Sequence, residues 1–279
     1  MAQFPVLNID EFNAGNDTGN VLLYHELIGK RIIDKPHKHD FFLFMLFEVG
    51  SGNHDIDFIG HKIENRQLHM LFPEQVHRWE LEENTHAHQI MMNKNLFEGL
   101  ANFMRFSQIL YKSNPVLNLR DDAFDKVLYE FKQIKSERAK PVILWDIIHE
   151  RIKIIALIIS REAEILFNNQ TVYKTKPILL RFLSLIEQHY NKQKLVSFYA
   201  SELNISANYL NILCRKYFNT PATTLIHERL ILESKRMLLT TTKPIKAIAF
   251  DLGFYDVAYF SKFFRSKTGI TPNNFRAEA

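Results

Sequence analysis

The sequence predicts a two-domain α+β protein, in which an antiparallel β-barrel with following helices precedes an all-α C-terminal domain. Short apolar runs separated by turn signals occupy residues 21–92, and the hydrophobic period becomes helical after Asn95. The 279-residue chain also divides by charge. From residue 178 onward it has 14 basic and 7 acidic residues, a net +7, whereas the first 177 residues have 21 and 24, a net −3. A basic C-terminal third of this kind could bind a polyanion.

The composition excludes several classes of protein. Apolar residues make up 46% of the chain and Gly and Pro are few, which excludes disordered and fibrous proteins. The single cysteine, Cys214, excludes a disulfide framework and a thiolate zinc cluster, and its apolar helical context indicates a buried structural thiol. The N-terminal residues do not have the pattern of a signal peptide, and no apolar run is long enough to span a bilayer. We therefore expect a cytoplasmic protein with no membrane partner.

The strands are expected in the N-terminal part. The run Phe41–Val49 is apolar on both faces, which is typical of a strand enclosed by a barrel or sandwich. Turn signals lie at residues 28–30, 50–53, 59–61 and 83–84. Several short strands at this spacing indicate an antiparallel barrel or a jelly roll.

Three helices are predicted after the strands: Asn95–Tyr111, Asp121–Ser136 and Pro141–Phe167. Asp121 and Asp122 suit the N-cap of the second, and Pro141 suits the first turn of the third. The third helix is apolar over more than one face, so packing within the chain and an interface with a second subunit both remain open. The predicted boundaries are 1–95 for the barrel, 96–168 for a helical dimerisation region, 169–177 for the linker and 178–279 for the C-terminal domain.

The C-terminal third contains an internal repeat at an offset of 49 to 50 residues. Residues 200–216 (ASELNISANYLNILCRK) correspond to residues 249–265 (AFDLGFYDVAYFSKFFR). At two positions an Asn in one copy corresponds to a Gly in the other: Asn204 with Gly253, and Asn219 with Gly269. Asn and Gly most readily adopt the left-handed conformation, which the first pair needs at a tight turn and the second at a helix C-cap.

Each copy predicts a short helix, a tight turn and a second helix with polar and basic positions, at about residues 196–216 and 245–267. This is the helix-turn-helix arrangement, whose second helix enters the major groove of DNA. Between the copies, Thr223–Leu239 predicts one continuous helix of about 25 Å with Thr223 as its N-cap. Two second helices separated in this way could occupy successive major-groove segments about 34 Å apart. A helical bundle that binds a protein is the alternative, which the net charge and the duplicated turn disfavour.

These residues resemble a known family. Residues 253–276 (GFYDVAYFSKFFRSKTGITPNNFR) closely resemble the signature of AraC/XylS-type transcription regulators, and the resemblance extends over Leu179–Arg276. The N-terminal stretches PHKHDFFLFMLFEVGSG and FPEQVHRW are similar, more weakly, to the cupin-like sensor domains of that family. The resemblance implies binding to double-stranded DNA, activation of genes through contact with RNA polymerase, a homodimer and a small-molecule effector in the barrel.

The resemblance places base contacts on the exposed faces of the two second helices. The candidate base-reading residues are Ala207, Asn208, Asn211, Ile212, Tyr255, Asp256, Val257, Ala258 and Lys262. The candidate phosphate contacts are Ser206, Arg215, Lys216, Ser261, Arg265 and Lys267. Asparagine can pair with adenine, Lys262 can donate to guanine and Val257 can contact a thymine methyl group. Ile212 departs from the family pattern, in which a basic residue often stands.

The histidines concentrate in the N-terminal part, where nine of the twelve lie between His25 and His88. His37 and His39 are two apart on a strand and share a face. Together with the later His77 they are similar to the metal site of cupin enzymes, but Glu48 comes too late to complete it. We therefore expect no metal and no cofactor. The candidate effector-pocket residues are His37, His39, Phe41, Leu43, Phe72, His77 and Trp79, with hydrogen-bonded structural histidines and core aromatic residues as the alternative.

The expected function is sequence-specific DNA binding by a transcription regulator, in the form of an activator rather than an enzyme. Two alternatives remain open. One is a cupin-type metalloenzyme that carries the same DNA-binding domain, and the other is a regulator without a ligand.

Overall fold

The computed structural model describes residues 6–7, 9, 22–101, 103–104, 108–168 and 177–277. The chain divides into two compact units, one comprising Pro5–Asn169 and the other Gln170–Ala279. The boundary between them thus falls inside residues 169–176, which lie outside the described residues, as does most of the expected linker. Among the helices that the structure describes, none is both long enough and apolar enough to cross a bilayer.

The N-terminal unit is built on two sheets. Its strands are β1 (Val6–Leu7), β2 (Leu22–Ile28), β3 (Arg31–His39), β4 (Phe42–Val49), β5 (Gly52–Ile56), β6 (Ile59–Lys62), β7 (Gln67–Leu71), β8 (His77–Leu81), β9 (His86–Met92) and β10 (Val116–Asn118). One sheet has the order β1-β3-β8-β5-β6 and the other β10-β7-β4-β9-β2. Among the residues that the structure describes, all strand pairs are antiparallel except β1 with β3, which is parallel.

The two sheets face each other across one hydrophobic core. Leu43 and Met45 of β4 meet Trp79 and Leu81 of β8 in this core. Because every side chain from Phe42 to Phe47 is buried, β4 is covered on both faces, as the sequence predicts. Within the described residues the strands pair in two separate ladders, so the predicted closed barrel is an open sandwich of two sheets.

One predicted turn lies two residues too late. The expected turn at residues 59–61 belongs to strand β6, and the chain instead reverses at Asp57 and Phe58, whose φ angles are 49° and 70°. The Asp57 carboxylate accepts hydrogen bonds from the Val76 backbone N–H (3.2 Å) and the Gln75 amide (2.8 Å). These contacts fix the left-handed turn at Asp57 and Phe58. The prediction centred the turn on the nearby Gly60 and was therefore displaced along the chain.

The expected helix Asn95–Tyr111 is wrong as one element. The structure has α1 (Lys94–Ala101) and α2 (Gln108–Ser113), and the described residues between them, Phe103 and Met104, are not helical. The Phe103 carbonyl accepts a hydrogen bond from the Ser160 hydroxyl (3.2 Å), and Met104 is buried. A distant side chain thus takes a carbonyl that a continuous helix would have used.

The next two helices differ from the prediction at their starts. Helix α3 (Asp121–Arg138) has Arg120 at its N-cap position, so Asp121 and Asp122 lie in its first turn rather than at the cap. Helix α4 (Trp145–Asn168) begins four residues after Pro141. The Glu137 carboxylate accepts the Leu144 backbone N–H (3.1 Å) and so supplies from α3 the hydrogen bond that the start of α4 needs.

The C-terminal unit contains only helices among its described residues. They are α5 (Pro177–His189), α6 (Val196–Glu202), α7 (Ala207–Phe218), α8 (Ala222–Thr240), α9 (Ile245–Asp251), α10 (Val257–Thr268) and α11 (Pro272–Ala277). They enclose two hydrophobic cores. Helix α8 contributes Ala222 and Ile226 to the first and Leu230 and Leu238 to the second, so one helix is shared by both cores.

The start of α8 corrects another expectation. The helix begins at Ala222, with Pro221 at the N-cap position and no side-chain capping bond from that residue. Thr223, predicted as the N-cap, lies inside the first turn. Proline holds its φ near the helical value before the first turn, and the Ala222 N–H donates to the side-chain oxygen of Asn211.

The left-handed positions predicted from the repeat are confirmed. The turn residues Asn204 and Gly253 have φ angles of 54° and 69°, and the C-cap residues Asn219 and Gly269 have φ angles of 54° and 84°. The two glycines differ in their surroundings. A Cβ on Gly253 would collide with the Asn191 carbonyl oxygen, whereas a Cβ on Gly269 would meet open space.

Alanine at these two glycines should therefore destabilise the C-terminal domain to different extents. Gly269→Ala adds only the cost of a left-handed alanine, about 1–2 kcal/mol. Gly253→Ala adds the same cost and a steric collision worth about 1–3 kcal/mol more. Urea unfolding of the full chain, followed by circular dichroism at 222 nm, measures both losses, and equal losses would contradict the assigned close approach.

Candidate functional site

The two helix-turn-helix units have equivalent turns and caps. The Ile205 N–H donates to the Ala200 carbonyl (3.0 Å), and the Phe254 N–H donates to the Ala249 carbonyl (2.9 Å). Residue 206 in one copy and residue 256 in the other then cap the second helices α7 and α10. The duplication in the sequence is thus a duplication of hydrogen-bonded structure.

Ser206 and Asp256 perform the capping. The Ser206 hydroxyl oxygen accepts the Tyr209 N–H (3.1 Å). The Asp256 carboxylate accepts the N–H groups of Ala258 (3.3 Å) and Tyr259 (2.9 Å). Asp256, a candidate base-reading residue, therefore has a defined role at the start of α10. Its negative charge also opposes a close approach to phosphate.

The exposed face of each second helix carries most of the other candidates. On α7, Asn208, Ile212 and Arg215 are exposed at helical spacing, and on α10 the equivalent Ala258 and Lys262 are exposed. The same face carries exposed Lys216 on α7 and exposed Arg265 on α10, while Ser261 is half-buried. Lys267 is exposed too, but the helical period places it on the opposite side of α10 from Ala258. Just before α10, Tyr255 is 99% exposed. The candidates Ala207 and Val257 are half-buried because they pack against the two cores.

Asn211 has a different environment from the other candidates. Its amide nitrogen donates to the Ala207 carbonyl (3.1 Å), and its amide oxygen accepts the Ala222 N–H (3.0 Å). This second bond satisfies the first N–H of α8, which Pro221 leaves without a side-chain cap. Asn211 thus joins α7 to α8, and these contacts occupy one N–H donor and one oxygen lone pair of its amide.

Two exposed tyrosines were missed in the sequence. Tyr209 on α7 and Tyr259 on α10 are 46% and 62% exposed, and they occupy equivalent positions of the repeat. The signal was available, because the same aromatic residue recurs at a helix position that the core does not need. Exposed tyrosines can donate hydrogen bonds to phosphate or contact bases.

The cations of the two second helices are available for phosphate. Within the described residues, Arg215, Lys262 and Arg265 form no ion pair with a carboxylate. Arg215 and Arg265 occupy the last turns of their helices, where a positive charge is also favoured by the helix dipole.

Lys194 links the loop before the first helix-turn-helix unit to the turn of the second helix-turn-helix unit. Its ammonium group donates to the carbonyl oxygens of Gly253 (2.8 Å) and Asn191 (3.2 Å) and lies 4.8 Å from the centre of the Phe254 ring. Burial lowers the pKa of Lys194. The close contact of Gly253 with Asn191, which leaves no room for a Cβ, therefore belongs to a hydrogen-bonded junction between the two helix-turn-helix units of the C-terminal domain.

Arg229 of α8 provides a second junction. Its guanidinium donates to Glu187 of α5 (2.8 Å) and to Glu233 of α8 (3.0 Å), and it lies 4.1 Å from the centre of the Tyr190 ring. The group is largely buried, so the ion pairs are shielded from solvent. Helix α8 is thereby fixed on α5 as well as inside both cores.

Most candidate effector-pocket residues meet inside the sandwich. The His77 ring lies 4.2 Å from the His37 ring and 5.0 Å from the His39 ring, measured between centres. Trp79 lies 5.3 Å from His77, and Phe41 stacks on His39 at 4.2 Å. Leu43 belongs to the same core. Phe72 lies apart from them, between Phe42 (5.6 Å) and Phe97 of α1 (5.7 Å).

His54 and His69 extend this group and were also missed in the sequence. His54 Nδ1 lies 2.9 Å from His69 Nδ1, and His54 Nε2 lies 3.0 Å from His77 Nδ1. His69 comes from the opposite sheet, so no spacing along the chain could predict the contact. Burial lowers the pKa of His39 and of His69 to about 3, which keeps these imidazoles neutral.

Cys214 matches its prediction as a structural thiol. It is buried in the first core of the C-terminal unit. Burial raises the pKa of the thiol to about 12, so it remains protonated and unreactive.

Comparison with known proteins agrees with the duplicated helix-turn-helix. Residues 199–278 match the family model of a helix-turn-helix domain, HTH_18. The arabinose operon regulatory proteins of Salmonella typhimurium and Escherichia coli are each 32% identical over 78 residues, or 28% of this chain. The match spans only about 28% of the length of these curated relatives.

Solved structures give similar matches. The C-terminal domain of the response regulator yesN from Fusobacterium nucleatum is 32% identical and covers 34% of this chain and 93% of its own, with a TM-score of 0.33. ToxT from Vibrio cholerae covers 93% of this chain and 98% of its own at 15% identity, with a TM-score of 0.47.

The contacts of Asn211 predict that alanine substitution at Asn211 and at Asn208 will change the stability of the C-terminal domain by different amounts. Asn211→Ala should destabilise the C-terminal domain by about 1 kcal/mol, because it removes the cap of α8. Asn208→Ala, at an exposed position, should change stability by less than about 0.5 kcal/mol. Chemical denaturation of both variants measures this, and a neutral Asn211→Ala would rule out the capping role.

Proposed function

We propose that this chain, whose C-terminal domain is an AraC-type helix-turn-helix domain, is a sequence-specific DNA-binding transcription regulator. One observation carries the proposal. Two equivalent, capped helices each present an exposed polar face with unpaired cations, and both are attached to one shared helix. This is the arrangement with which one chain can contact two successive major-groove segments.

The proposed base-reading set follows from exposure. It comprises Asn208, Tyr209, Ile212, Tyr255, Ala258, Tyr259 and Lys262, with half-buried Ala207 and Val257 at the edge of the surface. The amide of Asn211 and the carboxylate of Asp256 are assigned to capping instead. Ser206, Arg215, Lys216, Ser261, Arg265 and Lys267 remain proposed phosphate contacts. The first helix would then read through an amide and an apolar side chain, and the second through a cation.

The wider role of the chain is part of the same proposal. We infer an activator that contacts RNA polymerase in the cytoplasm and has no catalytic activity and no membrane partner. The N-terminal sandwich would act as a cupin-like sensor. Its ligand site would be lined by the buried histidine group, which consists of His37, His39, His54, His69 and His77. A ligand with unequal affinity for two arrangements of the domains would change DNA binding by shifting their populations.

The two kinds of DNA contact should respond differently to mutation. Lys262→Ala should cost about 1–3 kcal/mol on the preferred sequence and relax the preference at one base pair. Lys216→Ala should weaken binding to all sequences alike and reduce the slope of log K against log salt by about 1. Fluorescence anisotropy with selected and scrambled duplexes over a salt series separates the two. Identical behaviour of both variants would contradict the assignment.

Homodimer formation is proposed through α4. Ile154, Leu157 and Ile165 are exposed apolar residues on one face of this helix. Leu157→Glu should convert a dimer to a monomer in sedimentation velocity. Val142→Glu places the same charge on an exposed apolar residue outside the helix and should leave the dimer intact. A wild-type chain that is monomeric at high micromolar concentration would contradict the proposal.

A further inference from the structure

We propose that Ile212 contacts the methyl group of a thymine and so makes the first helix-turn-helix unit select A·T base pairs. This role rests on the proposed function, because it concerns how the second helix of that unit distinguishes one DNA sequence from another. Its support comes from the exposure of the side chains on α7 and α10 and from the differences between the two copies of the repeat.

The exposed stripes of α7 and α10 have the same spacing. On α7 the stripe consists of Asn208, Ile212 and Arg215, and on α10 it consists of Ala258, Lys262 and Arg265. Each of these side chains is exposed. Successive intervals of four and three residues place the members of a stripe on one face of a helix. The two stripes therefore present equivalent positions to a common partner.

The position that both stripes share fits a phosphate, and the positions that differ fit bases. Phosphates are the same along every duplex, so a residue that contacts them can recur unchanged in both units, as Arg215 and Arg265 do. Base edges differ from one groove segment to the next, so the residues that contact them should diverge between the copies. Ile212 and Lys262 diverge from an aliphatic side chain to a cation.

The fold of the C-terminal domain does not need an isoleucine at position 212. The neighbouring Leu210, Leu213 and Cys214 are buried in the first core. Ile212 is 52% exposed and belongs to neither core of the described C-terminal residues. A β-branched side chain in a helix has one strongly preferred χ1 rotamer, so it loses little conformational entropy when a partner covers it. Ile212 is thus a stiff apolar group on the face proposed to contact DNA.

The major groove offers an apolar side chain one specific partner. Thymine alone among the four bases presents a methyl group on its major-groove edge, whereas guanine presents two acceptors and cytosine presents an amino donor. An isoleucine placed against a G·C pair would remove water from these polar groups without replacing the hydrogen bonds, which is costly. Contact with Ile212 therefore favours thymine and disfavours a G·C pair.

Asn208 fits the same kind of base pair. It lies about one helical turn before Ile212, and its amide can pair with the N6 and N7 positions of adenine. At the equivalent positions of α10, Ala258 has no hydrogen-bonding group and Lys262 can donate to guanine. The first unit should consequently prefer A·T pairs, whereas the guanine of a preferred site should lie in the segment that the second unit contacts.

A deoxyuridine scan tests the methyl contact. A preferred duplex is first selected with the full-length chain, and each thymine is then replaced in turn by deoxyuridine, which lacks only the 5-methyl group. Fluorescence anisotropy should find a thymine whose replacement weakens wild-type binding by about fourfold, as expected for one buried methyl group. Ile212→Ala should bind the thymine and deoxyuridine duplexes alike at that position. Its fold should be unaffected, because position 212 is exposed.

Lys262→Ala is the matched control for this scan. It removes the equivalent side chain of the second unit, so it should weaken binding and still show the loss at the thymine assigned to Ile212. Two results would overturn the role of Ile212. One is a scan in which Ile212→Ala keeps every loss of the wild-type chain, and the other is a scan in which no thymine replacement weakens wild-type binding.

A second test is the substitution Ile212→Lys, which gives the first unit the residue that the second unit has at the equivalent position. Selection from random duplexes with this variant should return a motif in which the assigned thymine is no longer preferred. An unchanged motif would overturn the role of Ile212 while the chain still binds DNA. A wild-type chain that selects no sequence at all would instead contradict the proposed function, and the role of Ile212 with it.

Discussion

Helix α8 is the element on which the geometry of the C-terminal domain depends. Its 19 residues extend about 28 Å, and its apolar side chains are buried in the first core at one end and the second core at the other. Neither helix-turn-helix unit can therefore rotate without opening a core. The Lys194 and Arg229 junctions add directional contacts to this constraint. A fixed separation of two second helices, rather than any single side chain, makes the domain suited to a regularly spaced partner such as duplex DNA.

The polar residues of the second helices fall into two groups, those that cap helix ends and those that face solvent. Asn211 and Asp256 point toward backbone N–H groups and fix the ends of helices, while Asn208 and Lys262 point to solvent. In the N-terminal sandwich the division is similar. Some histidine nitrogens complete hydrogen bonds across the two sheets, whereas the buried Nε2 atoms of His39 and His77 have no hydrogen-bond partner among the residues that the structure describes.

The sequence was informative wherever the deciding interaction is local. The left-handed residues Gly253 and Asn219, the buried run Phe42–Phe47 of β4 and the buried Cys214 follow from neighbouring residues, and the structure agrees. The sequence did not predict features that depend on a contact with a residue far away along the chain. Ser160 takes a carbonyl 57 residues away and interrupts a helix, and the Ala222 N–H is capped from 11 residues upstream. The contact of His54 with His69 depends on which strands face each other, so the buried histidine group emerges only from the fold.

The spacing of the two second helices can be tested directly on DNA. A preferred site is first selected from random duplexes with the full chain, and its protected bases are mapped by hydroxyl-radical footprinting. A rigid α8 predicts two protected patches about 10 base pairs apart on one face of the duplex. Inserting five base pairs between them, about half a helical turn, should then abolish specific binding. Specific affinity unchanged by the insertion would contradict the account, because two units held by one helix cannot follow that rotation.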